Sequence, residues 1–210
     1  MPPFVGRADA LTQLLTVSDG VLNARRGGGG SARVPLVLVT GEAGMGKTSL
    51  LQRYAAELAD RGVRAVWGTC WEGDQAPALW PWTQIVRTLL DQDNDEDAVT
   101  AELAVVVPER VPAGAANTRG ADDETGRLRV FDAVGQLLAR AAFRRPTAVL
   151  LDDLQWSDRS TVDLCGSSWG WRTPGHRSSS ERTGRTSYEA TWAQRWRHSA
   201  RSPSRCRWLG

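Results

Sequence analysis

One stretch, Gly41-Glu42-Ala43-Gly44-Met45-Gly46-Lys47-Thr48, constrains this chain more than any other. It fits G-x-x-x-x-G-K-[ST], the glycine-rich loop that cradles phosphates. Lys47 is the only lysine in the chain, against 25 arginines. Arginine serves wherever a surface cation suffices. The single lysine stands where a compact ammonium on a flexible stem must reach a β/γ-phosphate. An isolated match is also compatible with an ordinary glycine-rich turn, so the flanking sequence has to decide.

Leu36-Val37-Leu38-Val39 precedes the loop and has the continuous apolar character of a strand buried on both faces. After Lys47 the pattern becomes helical, with Leu51, Tyr54, Ala55 and Leu58 on one face and Gly62 as a C-terminal stop. Strand, glycine loop and helix together aim backbone N–H groups and a helix N-terminus at an anion. Gly41, Gly44 and Gly46 let the backbone wrap closely around a phosphate. The expected cradle runs from Gly41 through Glu42, Ala43, Gly44, Met45, Gly46, Lys47 and Thr48 to Ser49. The Thr48 hydroxyl is placed to ligate Mg²⁺.

A second apolar run, Ala148-Val149-Leu150-Leu151, ends in Asp152-Asp153. An acid at the C-terminal end of a parallel strand lies where α/β sheets place their ligands. Asp152 is expected to hold Mg²⁺ through water, and Asp153 to orient or deprotonate an attacking water. Buried strands often end in an acidic turn, so the pattern draws its weight from the phosphate loop upstream.

Four segments occur in order: Phe4-Val5-Gly6-Arg7, the phosphate loop, Trp67-Gly68-Thr69-Cys70-Trp71-Glu72-Gly73 to Trp80-Pro81-Trp82, and Leu151-Asp152-Asp153-Leu154-Gln155-Trp156-Ser157-Asp158. Over residues 3–164 they resemble the AAA-type ATPase domain of bacterial STAND regulators, a group that includes LuxR-type transcriptional activators. The resemblance implies ATP and Mg²⁺ as cofactors, slow hydrolysis used as a switch, and a sheet of order 5-1-4-3-2. It also implies that Val5 and Arg7 lie at the base end of the nucleotide. One departure is Gln155, where the family often has histidine.

No run approaches the ~18 apolar residues of a membrane span, and no signal peptide is recognisable. Cytoplasmic placement, with no membrane partner, is the expectation. Cys70, Cys165 and Cys206 show no paired or metal-type spacing, and both histidines, His176 and His198, lie near the C-terminus. The arginine bias reflects a GC-rich genome rather than nucleic-acid binding, and none is expected of residues 1–164.

Between the motifs the reading is coarse. A helix is expected over Ala8–Ala24 with Leu11, Leu14, Leu15 and Leu22 inward, followed by the flexible Gly27-Gly28-Gly29-Gly30. Arg64–Thr69 reads as the second strand. Trp80, Trp82, Ile85, Leu89 and Leu90 read as the packing face of a helix rather than a ligand-stacking site. Asp91–Asp97 reads as a solvated acidic loop or helix start. Pro108–Arg127 reads as an exposed loop, and Leu128, Phe131, Val134, Leu138 and Ala141 as a helical stripe.

The last segment breaks these patterns. Residues 166–210 carry nine arginines, nine serines and five of the ten tryptophans, with Leu209 alone among Val, Ile, Leu and Met. With two acids the tail has a charge of +7, leaving −5 of the chain's net +2 on the remainder. A basic aromatic tail could bind nucleic acid or stay disordered. A shifted reading frame accounts for more. If the true frame begins on the last base of each preceding codon, codons starting with T encode apolar residues. Cys165, Ser167, Ser168, Trp169, Trp171 and Ser178-Ser179-Ser180 then conceal apolar runs. Cys165 to Glu189 can be re-read as LRFLVGLADARPPLVVGTYRTDEL, a helix pattern, a strand and a candidate sensor arginine.

The expected architecture is an α/β P-loop NTPase with a parallel sheet and flanking helices. It is expected to be incomplete, with strands 4 and 5 and the helical lid missing. Residues 1–164 form the ATPase domain, and 165–210 a basic, disordered, out-of-frame tail. The expected function is an ATP-binding module of a STAND-type regulator whose hydrolysis the truncation can abolish and whose self-association or regulatory contacts run through missing downstream domains. Alternatives are a P-loop small-molecule kinase and a non-catalytic fragment binding nucleic acid through the tail.

Overall fold

The computed structural model describes residues 7–27, 37–39, 41–73, 76–111, 124–168 and 207–208. They divide into two units, 1–54 with 171–210, and 55–170. Val5, most of the glycine run and nearly all of the tail lie outside the described residues.

In the first unit, α1 spans Ala8–Arg26, one half-turn longer than expected. Asp9 in its first turn and Arg25 and Arg26 in its last complement the helix dipole. Of its four inward leucines only Leu14 is buried. Of the expected strand Leu36–Val39, Val37–Leu38 form β1, Val39 follows it, and Leu36 lies outside the described residues; Val37 and Leu38 are half-buried rather than covered on both faces. β1 pairs antiparallel with β4, Arg207–Trp208.

α2 runs over Lys47–Asp60, and the division between units falls within it, after Tyr54. Its buried side chains are Leu50, Tyr54 and Leu58, one every four residues. Leu50, not Leu51, therefore continues the stripe, because a spacing of four keeps side chains on one helical face. The Ser18 hydroxyl of α1 hydrogen-bonds the Tyr54 hydroxyl at 2.5 Å. Gly62, at φ +75°, ends the helix as expected, and the Gly62 and Val63 N–H groups cap the Ala59 and Leu58 carbonyls.

The second unit is built on two parallel strands, β2 (Arg64–Thr69) and β3 (Thr147–Asp152), paired from Arg64↔Thr147 to Thr69↔Asp152. Adjacency of strands 2 and 3 agrees with the sheet order implied by the resemblance. α3 (Trp80–Asp93), α4 (Glu124–Arg144) and α5 (Arg159–Ser168) surround a core with Trp82, Ile85, Leu89, Val134, Leu137 and Leu164. Burying such side chains contributes about 1.5–3 kcal/mol each. Trp82 is fully buried and its indole N–H donates to the Thr161 carbonyl at 3.2 Å, so its role is packing. Gly68 lets β2 approach α3: a Cβ there would lie 2.5 Å from the Pro81 carbonyl oxygen.

Three expectations are corrected here. The acidic run is not simply solvated. Arg64, at the buried start of β2, donates to both carboxylate oxygens of Asp93 at 2.5 and 3.1 Å. Arg110 pairs with Asp91, while Asp95 is buried and receives Arg140 and Arg144. Hydrogen bonds from Arg140 hold the Asp95 carboxyl below its usual range, with Arg144 adding to the effect. The segment from Pro108 to Arg127 is not all loop, since Pro108–Arg110 form a 3₁₀ turn, Val111 is buried and Glu124–Arg127 belong to α4. The α4 stripe is offset: Leu128 is 59% exposed, and Val130, Phe131, Val134, Leu137 and Ala141 face the core.

Candidate functional site

The phosphate loop is shaped by its glycines in two different ways. Gly44 and Gly46 both adopt φ +76°, a conformation that a Cβ disfavours, with open space where a side chain would go. A Cβ on Gly41 would meet the Arg7 guanidinium 3.2 Å away. The Leu50 N–H donates to the Gly46 carbonyl at 3.0 Å, so the helix starts directly from the loop. Its first turn, with the exposed residues Thr48 and Ser49, therefore presents unpaired N–H groups and two hydroxyl-bearing side chains. The Lys47 ammonium folds back over the loop and donates to the Gly41 and Glu42 carbonyls, each at 3.0 Å. Glu42, Ala43 and Met45 are exposed along the rim. This arrangement fits a polyphosphate: a glycine backbone with open space at Gly44 and Gly46, a helix N-terminus and a cation on a movable stem.

The acidic pair lies in the second unit. Asp152 ends β3 and is buried, and its carbonyl accepts the Cys70 N–H at 3.1 Å, extending the β2–β3 ladder by one residue. Its carboxylate accepts the Asp153 N–H at 3.0 Å. Asp153 takes the left-handed conformation, φ 56° and ψ 37°, unusual for a non-glycine residue. This turns the chain sharply out of the strand into a 3₁₀ turn, Leu154–Trp156. The Gln155 side-chain amide donates to one Asp153 carboxylate oxygen at 2.9 Å. The residue that departs from the resembled pattern thus fixes the orientation of the candidate water-orienting acid.

Asp158, the last residue of the Leu151–Asp158 motif, ties two segments together. Its carboxylate caps α5 by accepting the Thr161 N–H at 2.9 Å and the Thr161 hydroxyl at 2.6 Å. It also accepts the Leu79 N–H at 3.1 Å. Leu79 is itself left-handed, φ 62°, at the entry to α3. One carboxylate therefore ties the loop after β3 to the segment after β2. The signal available in sequence was an Asp three residues before Thr161 at a helix start. Its partnership with Leu79 had no signal.

Cys70 lies beside this acidic edge. Burial, then the charges of Asp158, Asp153 and Asp152, push its thiol up to about 12. Burial and the neighbouring Cys70 push Cys165 up to about 12 as well. Both are free thiols, and neither has the electropositive surroundings of a nucleophile.

Residues 3–167 match the family model for the AAA ATPase domain. The chain belongs to the AAA ATPase domain family. The matched span includes the Phe4–Arg7 box, the phosphate loop and the acidic pair, and the fold is the corresponding P-loop NTPase-like α/β arrangement. The chain is an ATP-binding AAA ATPase module, for which ATP with Mg²⁺ is the implied cofactor. Mg²⁺ in such sites rests on one or two protein oxygens plus phosphates rather than on a protein cage. Among the described residues there is no cluster of three or more metal-ligating side chains. No curated protein and no solved structure matches the chain. Among the described residues no helix is long and apolar enough to cross a membrane.

Proposed function

We propose that this AAA ATPase domain is the nucleotide-binding module of a cytoplasmic STAND-type regulator, in which slow ATP hydrolysis serves as a conformational switch. The observation that carries the nucleotide reading is the Lys47 ammonium held over Gly41 and Glu42 by an open glycine loop at the start of α2. Backbone amides from Glu42 to Ser49 bind the phosphates, and Lys47 stabilises charge on the oxygens of the transferring group. Thr48 would offer its hydroxyl to Mg²⁺, and Asp152 would be its acidic partner. When bound, the ion would supply charge neutralisation on the phosphate oxygens. Asp153 orients the attacking water and takes its proton. Its second carboxylate oxygen remains available for this because the Gln155 bond occupies the first.

The tail from about residue 165 is outside this function in our reading. Its Arg/Ser/Trp-rich composition and the end of the family match at residue 167 support a shifted reading frame. Regulatory and self-association contacts would then belong to segments read in the restored frame and beyond.

Turnover tests the catalytic assignment. In the protein with its reading frame restored, Asp153→Asn is expected to lower kcat by about a hundred-fold or more, with Mg·ATP affinity little changed, because water orientation is expressed in the transition state. An unchanged kcat would assign the proton acceptor elsewhere.

A further inference from the structure

Two cations approach the first glycine of the loop. The Lys47 ammonium reaches the Gly41 carbonyl at 3.0 Å. The Arg7 guanidinium also comes close, for a Cβ on Gly41 would sit 3.2 Å from its Nη2. Among the described residues no carboxylate pairs with either cation, and Glu42 offers Lys47 its carbonyl, not its side chain. The Arg7 backbone is anchored independently, because its carbonyl accepts the Leu11 N–H at 3.0 Å at the first turn of α1. Its side chain makes no capping bond to that helix.

We propose that Arg7 contacts the polyphosphate of the nucleotide, acting with Lys47 as a two-cation clamp, rather than lying at its base end. This rests on the nucleotide reading of the phosphate loop. The loop geometry supplies the polarity: the lysine of such a loop reaches the β/γ-phosphates. A guanidinium beside the residue whose carbonyl holds that lysine stands at the same end. Two like charges against one glycine repel each other, and an anion between them relieves the repulsion. The planar fork of arginine suits two phosphate oxygens at once. The missing Cβ at Gly41 leaves room for the close guanidinium, which would have to give way by a few tenths of an ångström to any side chain there. The clamp favours triphosphate over monophosphate, because added negative charge is what it rewards.

The test is titration calorimetry on the full 210-residue chain with three probes: Mg·ATP, inorganic tripolyphosphate and adenosine. Arg7→Gln keeps the aliphatic stem and removes the charge. It is expected to weaken ATP and tripolyphosphate by about ten-fold or more each, the scale of one charge-assisted hydrogen bond, while adenosine affinity stays the same. A loss confined to ATP and adenosine, with tripolyphosphate unchanged, overturns the proposal in favour of a base contact. Equal affinities for all three probes overturn it too. Arg7→Lys is the second variant should Arg7→Gln fail to fold. It retains the charge but not the fork and is expected to weaken tripolyphosphate a few-fold, and full retention of affinity counts against the clamp. If the unsubstituted chain binds neither ATP nor tripolyphosphate, the nucleotide reading itself fails, a result distinct from failure of the clamp.

Discussion

Asp158 gives the sharpest structural prediction, because one carboxylate there satisfies three donors in two segments. Replacement by alanine removes the α5 cap, a loss of about 1 kcal/mol. It also strands the Leu79 N–H, and Leu79 is only 5% exposed. An unsatisfied buried donor costs about 1–3 kcal/mol. The sum is about 2–4 kcal/mol, a shift in urea midpoint of roughly 1–2 M for a slope near 2 kcal/mol per M. Asparagine separates the two terms. Its amide oxygen can still accept the Thr161 N–H, and its amide nitrogen can donate to the Thr161 hydroxyl. That nitrogen then faces the Leu79 N–H, donor against donor. Asp158→Asn is therefore expected to fall between the wild type and Asp158→Ala. Urea titrations followed by tryptophan fluorescence measure both. An alanine effect below about 0.5 kcal/mol, or an asparagine effect equal to that of alanine, would refute the reasoning.

Both described thiols are held protonated, so Cys70 and Cys165 should alkylate far more slowly than a free thiol at pH 8, accelerating only as the pH rises toward about 12 or the fold is opened by denaturant. Rapid iodoacetamide labelling of Cys70 or Cys165 in the native protein at neutral pH, located by peptide mapping so that Cys206 is counted apart, would contradict this. Resequencing the locus is expected to reveal an open frame that runs from codon 165 through Gly-Thr-Tyr-Arg and onward. A confirmed sequence with no such frame would overturn the shifted-frame reading of the tail.

The phosphate loop was legible in the sequence because all its determinants are local: glycines at fixed spacing, one lysine, a following helix. β2 was legible to the residue, Arg64–Thr69, because Gly62 stops the preceding helix and β-branched and aromatic residues follow. The errors fall where long-range contacts decide. A stripe through Leu128 satisfied helical periodicity, yet the face of α4 that packs is set by the 3₁₀ turns and α3, which select Val130 and Leu137. The acidic run looked solvated because its arginine partners, Arg110, Arg64, Arg140 and Arg144, are 19 or more residues away. The left-handed turn at Asp153 carries no sequence mark, since aspartate there looks like any strand end. Its bond from Gln155 became visible only with that turn in place. The Asp158–Leu79 tie spans 79 residues and no periodicity encodes it. The placement of Arg7 against Gly41 likewise joins two segments with no common pattern.

The central claim is that the loop from Gly41 to Thr48 binds the phosphates of ATP through Lys47. Calorimetric titration of Mg·ATP into the chain and its Lys47→Ala variant tests it most directly. The account predicts measurable binding by the unsubstituted chain and a loss of about ten-fold or more in the variant, from removal of a charge-assisted phosphate contact. Equal affinities for the two proteins, with both folded, would contradict it.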